Sequence, residues 1–393
     1  MMNRRSAICL TLGGLAGIQG CRKREDGAAK TDAVVSPEVA PKALKEMEGS
    51  SLVPVTVGPD KVIRTIGGLR PYRSSGFVVR RDEVGEKALI HNYGHGGGGM
   101  TLSWGSAHLA VEMAGDVSGK SCAVVGGGVM GLSTARLLQL RGANVTLYTS
   151  ELPPNTTSNV AGAQWWPFSV FDDHRRTEAF GQQYVAAAKF SFEYFQRLVG
   201  PRWGVRWLPN YYLSQGPPKN GWISGPGGVL RDLQIGFHDF APGEHVFSEG
   251  YARRFHTMMI EPSIYLAELL AEVQAAGAKV EIRKFADGNE VLSLSQPIIF
   301  NCTGLGAKQL FGDEELMPIK GQLTFLMPQP EVNYNLITDA HYMFPRTDGI
   351  VLGGSYEKGQ WNTTPDAAVT ESILKGHQAL FERMRRIQLE TRA

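Results

Sequence analysis

The residues of this 393-residue chain that could do chemistry fall in glycine- and hydroxyl-rich stretches. Gly126, Gly128 and Gly131 stand at G-x-G-x-x-G spacing inside CAVVGGGVMGLSTA. Glycines at that spacing make a tight turn, let backbone approach a pyrophosphate, and let a helix pack closely on a strand. A second stretch, His91-Asn92-Tyr93-Gly94-His95, runs into four consecutive glycines, Gly96 to Gly99, then Thr101 and Trp104. Each glycine costs backbone entropy, so the run implies backbone laid against a ligand. Thr156, Thr157 and Ser158, with Gly162, Gln164 and Trp165 behind them, offer donors suited to a phosphate or a polar ring edge. Turn and cap chemistry is the other role open to those hydroxyls.

These residues need elements to hold them. Residues 123–125 read as a buried strand, 132–140 as a helix stopped by Gly142, and 144–148 as a second strand. Strand, glycine turn, helix and strand together predict a dinucleotide-binding unit. That unit normally opens its domain, yet more than a hundred residues precede it here. Upstream, residues 75–81 and 87–92 read as a hairpin and 106–114 as a helix. Downstream, 172–199 and 262–276 read as helices, the second with Pro262 in its first turn and Gly277 as its stop. Residues 205–214, 236–247, 279–284, 298–302, 321–327, 342–345 and 350–356 read as strands, and 371–389 as a last helix. Strands interleaved with helices, then strands in succession, predict an α/β chain with more than one sheet.

Composition sets the bounds. The chain is 42% hydrophobic and 20% charged, enough for two domains sharing a core. A net charge of +2 without a long basic patch leaves nucleic acid outside the expected partners. Cys9, Cys21, Cys122 and Cys302 form no C-x-x-C pair, so no metal site is expected, and Cys122 and Cys302 read as small buried hydrophobes. Residues 1–21 read as an export segment, with Arg4 and Arg5 ahead of an apolar run; the twin-arginine and general routes both stay open. Ile18-Gln19-Gly20-Cys21 resembles a lipoprotein cleavage site, which would attach the protein to a membrane through lipidated Cys21. The expected location is therefore the bacterial cell envelope, either periplasmic or membrane-anchored. Polar, aromatic-free chain follows, and a disordered tether is expected over 22–60.

Several islands together resemble the D-amino-acid oxidase family of FAD flavoproteins: VVGGGVMGLSTA, PPNTTSNVAGAQW, IIFNCTG, VLGGSY and IHNYGHGGGGMTLSWG. The resemblance implies a Rossmann-like FAD-binding domain with a parallel sheet and a substrate domain with a mixed or antiparallel sheet. It places the FAD-binding domain at 118–165 and 258–318, the substrate domain at 166–257 and 319–360, and a C-terminal helix at 361–393. Residues 61–117 match what the family carries at its C-terminus, so the chain resembles a circular permutation joined through 115–120.

Carried over residue by residue, the resemblance implies that Arg70, in GGLRPY, and Tyr342, in HYMFP, bind a substrate carboxylate. Gly97 would accept from the substrate amine through its carbonyl. FAD would be held by Gly126, Gly128, Val129, Met130, Gly131, Thr156, Thr157, Ser158, Gly162, Gln164 and Trp165. His91, Gly96, Gly98, Gly99, Thr101 and Thr303 would complete its surroundings. The family's acidic residue after the second strand is displaced to Glu151, and the short stretch 338–342 lacks the longer lid of animal members. The implied reaction is oxidation of a D-amino acid to a 2-oxo acid and ammonia, with electrons passed to O2 or another acceptor. Oxidation of another amine or an N-substituted amino acid, and a non-catalytic flavin-binding lipoprotein, are the alternatives.

Overall fold

The computed structural model describes residues 52–162, 164–247 and 250–390. The export segment, Cys21 and the first part of the expected tether lie outside the described residues. In chain order the strands and helices are β1 (Val62–Tyr72), β2 (Val78–Val84), β3 (Lys87–Tyr93), α1 (Gly99–Ala114), β4 (Ser121–Val125), α2 (Val129–Leu140) and β5 (Asn144–Thr149). There follow α3 (Glu178–Arg197), β6 (Val205–Ser214), β7 (Ile235–Phe240), β8 (Tyr251–Ile260), α4 (Pro262–Ala275), β9 (Lys279–Ile282), α5 (Gly288–Leu292), β10 (Ile298–Asn301) and α6 (Gly306–Phe311). The last are β11 (Met317–Leu326), β12 (Asn335–Ile337), β13 (Tyr342–Arg346), β14 (Gly349–Gly353), β15 (Glu357–Lys358) and α7 (Ala367–Glu390).

One sheet has the order β2-β3-β10-β4-β5-β9, with β3, β10, β4, β5 and β9 parallel and β2 antiparallel on its edge. Its central strands are near-continuous apolar runs, as burial on both faces requires. Phe300 and Val124 are fully buried, and α1 and α2 pack beside them. Cys122 and Cys302 belong to this core, and burial pushes their thiols up to about 11 and about 12.

The other sheet has the order β1-β11-β14-β13-β12-β6-β8-β7, with β15 beside β11. Its pairings are antiparallel except β12 with β6. Residues 62–114 thus feed both sheets: β1 pairs along β11, while β3 joins the parallel sheet beside β10. The turn after α1 closes through Gly119 N–H donating to Gly142 O at 2.9 Å, and Gly119 has φ +69°.

The structure departs from the sequence reading at several places. The tether does not reach residue 60: Val55 is fully buried beside Leu326 and Tyr334, and the Tyr334 hydroxyl donates to Val53 O at 2.9 Å. Helix α3 starts at Glu178, because Thr177 caps it by accepting from Phe180 N–H at 3.2 Å. β8 has no counterpart in the sequence reading, since it is buried on both faces and shows no alternation. It keeps residues 258–260 in the antiparallel sheet, and α4 begins the return to the parallel one.

Candidate active site

A cavity of about 1220 Å³ runs from the ends of β3, β4, β5, β9 and β10 to one face of the antiparallel sheet. Parallel α/β sheets bind ligands beyond the carboxyl ends of their strands because the loops and free helix N-termini gather there. At this end Gly126 has φ +117°, and a β-carbon on it would lie 2.3 Å from Cys302 O. α2 begins after Gly128 without a side-chain cap or an acidic residue in its first turn, so its positive end faces the cavity uncompensated. Val129 and Met130 line the wall, and Val129 N–H donates to Ser158 Oγ at 3.0 Å. Thr156 and Thr157 lie beside them, with Thr156 Oγ1 donating to Asn159 Oδ1 at 2.8 Å. Glu151, Arg283 and Lys284 close this end.

Gly131 is off the cavity. A β-carbon there would lie 1.8 Å from Gly126 O, so its work is the close helix–strand packing that its place in the motif implies. The glycine run after β3 divides in the same way. Gly96, Gly97, Gly99 and Thr101 line the cavity, while Gly98 faces Val170 and Leu102. Gly96 and Gly97 are required as glycine by the chain at Phe168 and Ser169, whose carbonyls lie 2.7 and 2.4 Å from where β-carbons on Gly97 and Gly96 would be. Gly97 N–H donates to Ser169 O at 2.9 Å.

His95 lines the cavity, stacks on Phe77 with ring centres 4.6 Å apart, and holds Ser106 Oγ at 2.7 Å through Nε2. Ser106 in turn donates to Asn92 Oδ1, which makes His95 Nε2 the donor. Burial pushes His95 down to about 3, so it is neutral at pH 7. His91 is not on the cavity wall. Its Nε2 meets Asp82 at 3.1 Å and its Nδ1 meets Asn301 Nδ2 at 3.0 Å. It reaches the cavity only through Thr303, whose Oγ1 donates to Asn301 Oδ1 at 2.7 Å.

Gln164 and Gly162 are on the wall, but Trp165 is not. Trp165 is fully buried against Phe192, and its backbone N–H donates to Met258 O at 2.6 Å. The chain bends there, with Trp166 N–H donating to Gln164 O at 3.0 Å, and the two indoles face different ways. Trp166 therefore takes the cavity place expected of Trp165.

At the far end Arg70 projects from β1 onto the neighbouring strand. A β-carbon on Gly321 of β11 would lie 2.4 Å from its Nη2. Nη2 donates to the Tyr342 hydroxyl at 3.4 Å, and Nη1 is buried without a partner. Tyr342 lies over Gly353 in the same fashion, with its ring 2.0 Å from where a β-carbon would be. A guanidinium and a phenol side by side, with no carboxylate on Arg70 among the described residues, have the chemistry to take a planar anion. Arg70, Tyr342 and Gly97, expected to act together, all line this one cavity.

The family model for FAD dependent oxidoreductases, DAO, matches residues 11–113 and 121–393. The chain belongs to the DAO family. It is 33% identical over 270 residues to a D-amino-acid oxidase of Rubrobacter xylanophilus, covering 67% of this chain and 77% of that one. It is 32% identical over 263 residues to a D-amino-acid oxidase of Streptomyces coelicolor, covering 65% and 76%. A human D-aspartate oxidase is 30% identical over 263 residues, covering 64% and 73%. The solved glycine oxidase of Geobacillus kaustophilus has the same fold, with a TM-score of 0.51 at 16% identity over 67% of this chain and 79% of that one.

This DAO-family chain is an FAD-dependent oxidoreductase acting on amino acids. The uncapped start of α2 and the glycine cradle of Gly126 and Gly128 fit the cofactor. Sequence reasoning missed much of the cavity wall: Trp166, Asn210, Tyr212, Gln234, Phe255 and Tyr356. Nothing local in Gln164-Trp165-Trp166 singled out the first, because a bend decides which indole faces the cavity. A lone amide inside the apolar strand around Asn210 was a signal for the second.

Proposed function

We propose that this enzyme oxidatively deaminates D-amino acids to 2-oxo acids and ammonia, with O2 reduced to hydrogen peroxide. The observation that carries this reading is the Arg70–Tyr342 pair, with Arg70 Nη1 buried and unpartnered beside it. Binding of FAD alone would require neither side chain. Sequence likeness to D-amino-acid and D-aspartate oxidases supports the D configuration.

When bound, FAD supplies the hydride acceptor and the route for electrons to O2. Gly126, Gly128, Val129, Met130, Thr156, Thr157 and Ser158 would hold its dinucleotide part, and Gly96, Gly99, Thr101, Gly162, Gln164 and Thr303 the remainder. The chain's own task is placement. Arg70 and Tyr342 take the carboxylate with two donors, which fixes its plane as well as its position. The Gly97 carbonyl accepts from the neutral amine, so two anchored groups set the direction of the Cα–H bond. Such positioning accounts for a large share of the rate without a dedicated base. Water then hydrolyses the imino product.

The Thr338–His341 turn between β12 and β13 is tight, with Thr338 N–H donating to His341 O at 2.7 Å. A short turn in place of a lid supports free exchange of substrate and product. The test is anaerobic bleaching of the yellow holoenzyme. D-amino acids bleach it and L-forms do not; bleaching by L-forms alone would sink the proposal.

The same reading takes the chain as a circularly permuted family fold. The family match in two pieces, broken at 114–120, supports it, as does the end of α7 lying at Leu52, where Gln388 Nε2 donates to Leu52 O at 2.7 Å. It also takes residues 1–21 as an export signal, checked by finding the protein in the envelope fraction.

A further inference from the structure

The substrate cavity continues well past the carboxylate clamp. Opposite Tyr342, in register, stand Ile337 on β12, Tyr212 on β6 and Arg253 on β8. Each strand step is about 4.8 Å, so this row carries the cavity roughly 14 Å from the clamp. An α-amino acid held by its carboxylate would send its side chain along that floor.

The floor is polar in a specific way. Asn210 and Gln234 both line it, and each is only 1% exposed. They flank β8: Asn210 opposes Phe255 from β6, and Gln234 leads into β7, whose Ile235 opposes His256. Gln234 Oε1 accepts from Gly225 N–H at 3.1 Å, which leaves Nε2 a donor without a partner. Asn210 Oδ1 is an acceptor without a partner. Buried amide atoms are rarely left unpaired in a folded protein, so this pair calls for a partner from outside the chain.

Arg253 and Asp339 beside them are already committed. Arg253 is bound by both oxygens of Asp239, at 2.7 and 2.8 Å, and also donates to Asn220 Oδ1 at 3.0 Å. Asp339 accepts from the Tyr212 hydroxyl. Ile337 and Phe255 add apolar surface beside them, and a further cation, Lys219, lies exposed at the cavity wall.

From one buried free donor and one buried free acceptor, Gln234 Nε2 and Asn210 Oδ1, we infer that the enzyme selects D-amino acids with a neutral side chain that both accepts and donates, a terminal carboxamide above all. This rests on the D-amino-acid reading of the clamp. A site built to hydrogen-bond a substrate group discriminates strongly against an analogue that lacks it, because its own polar atoms are then left unpaired.

The test compares shape-matched ligands on the holoenzyme. D-glutamine should exceed D-norleucine and D-glutamate in kcat/KM by about tenfold or more. Asn210→Leu and Gln234→Met should each cut the D-glutamine to D-norleucine ratio about tenfold. Glutaramate, which has no amine to oxidise, should inhibit or thermally stabilise the enzyme at lower concentration than hexanoate. D-norleucine equal to D-glutamine, or hexanoate binding as well as glutaramate, overturns the inference. If no D-amino acid is oxidised yet glutaramate still binds better than hexanoate, the D-amino-acid reading fails and the polar pocket stands.

Discussion

The Arg70 guanidinium lies on Gly321: a β-carbon there would be 2.4 Å from Nη2 and 2.6 Å from Nη1. The long side chain leaves β1 and crosses to the next strand, where the absence of a side chain gives it a seat. Tyr342 lies over Gly353 by the same device. The proposed carboxylate receptor is therefore made by two polar side chains and by the two glycines beneath them.

Gly321→Val should displace the guanidinium while leaving the sheet intact, because the clash is with the free end of a side chain. Loss of a buried charge partner costs about 2–5 kcal/mol, which is roughly 30- to 5000-fold in rate. The expected result is that kcat/KM for D-amino acids falls by about that factor while flavin content holds. A variant that keeps full turnover would show that Arg70 does not need this seat.

Arg70→Ala should lower kcat/KM for carboxylate substrates by about 100-fold or more, and for simple amines much less. Tyr342→Phe removes one hydrogen bond, about 1 kcal/mol, and should cost about fivefold. Steady-state kinetics with D-alanine and a carboxylate-free amine separate these. Equal losses on both substrates would argue against a carboxylate role for Arg70.

Gly131→Ala should act on the dinucleotide end and on stability together. Its β-carbon would be 1.8 Å from Gly126 O, a backbone atom that cannot swing away. Overpacking of this kind costs about 1–3 kcal/mol. Urea unfolding and the ratio of flavin to protein absorbance should both fall, and an unchanged flavin ratio would contradict the packing role.

Stability should fall in acid through His95. The folded form holds it neutral with a value pushed down to about 3, against an ordinary value near 6.5. Above about pH 6.5 both states are neutral and its contribution is whole. Below that the unfolded chain binds a proton that the folded one refuses, so stability is lost by up to about 1.4 kcal/mol per pH unit as pH falls toward 3. His95→Phe, which keeps a ring on Phe77, should flatten the slope between pH 7 and 5 by that amount in urea melts. An unchanged slope would mean that His95 is charged in the folded enzyme.

Relinking tests the permutation. A chain running from residue 121 to 390, then about six Gly/Ser residues, then 52–114, needs only to bridge the end of α7 to Leu52, and each linker residue spans up to about 3.5 Å. Gln388 already touches Leu52. The relinked protein should fold yellow and retain oxidase activity within about threefold. Soluble but colourless protein would show that the native order of the segments is required.

The dinucleotide unit was legible because it is local. β4, the glycine turn, α2 and β5 follow one another in sequence, and each glycine answers a nearby clash. The clamp residues were legible only through resemblance, since Arg70 and Tyr342 are 272 positions apart and meet through the order β1-β11-β14-β13. β8 was missed because a strand buried on both faces loses the alternation that marks one.

What the sequence alone determined, then, was the glycine-built cradle and the strand–helix unit around it, while the grouping of Arg70, Tyr342 and Gly97 came from resemblance. Which way a side chain faces was left to the tertiary structure. It turned Trp165, His91, Gly98 and Gly131 away from the cavity, and brought in Trp166, Asn210 and Gln234. For strand residues such as His91 and Asn210 the reason is that a strand's local pattern says only that alternate residues face opposite sides. Which side holds the cavity depends on strands far apart in the chain, and on glycines such as Gly321 that make room from a neighbouring strand.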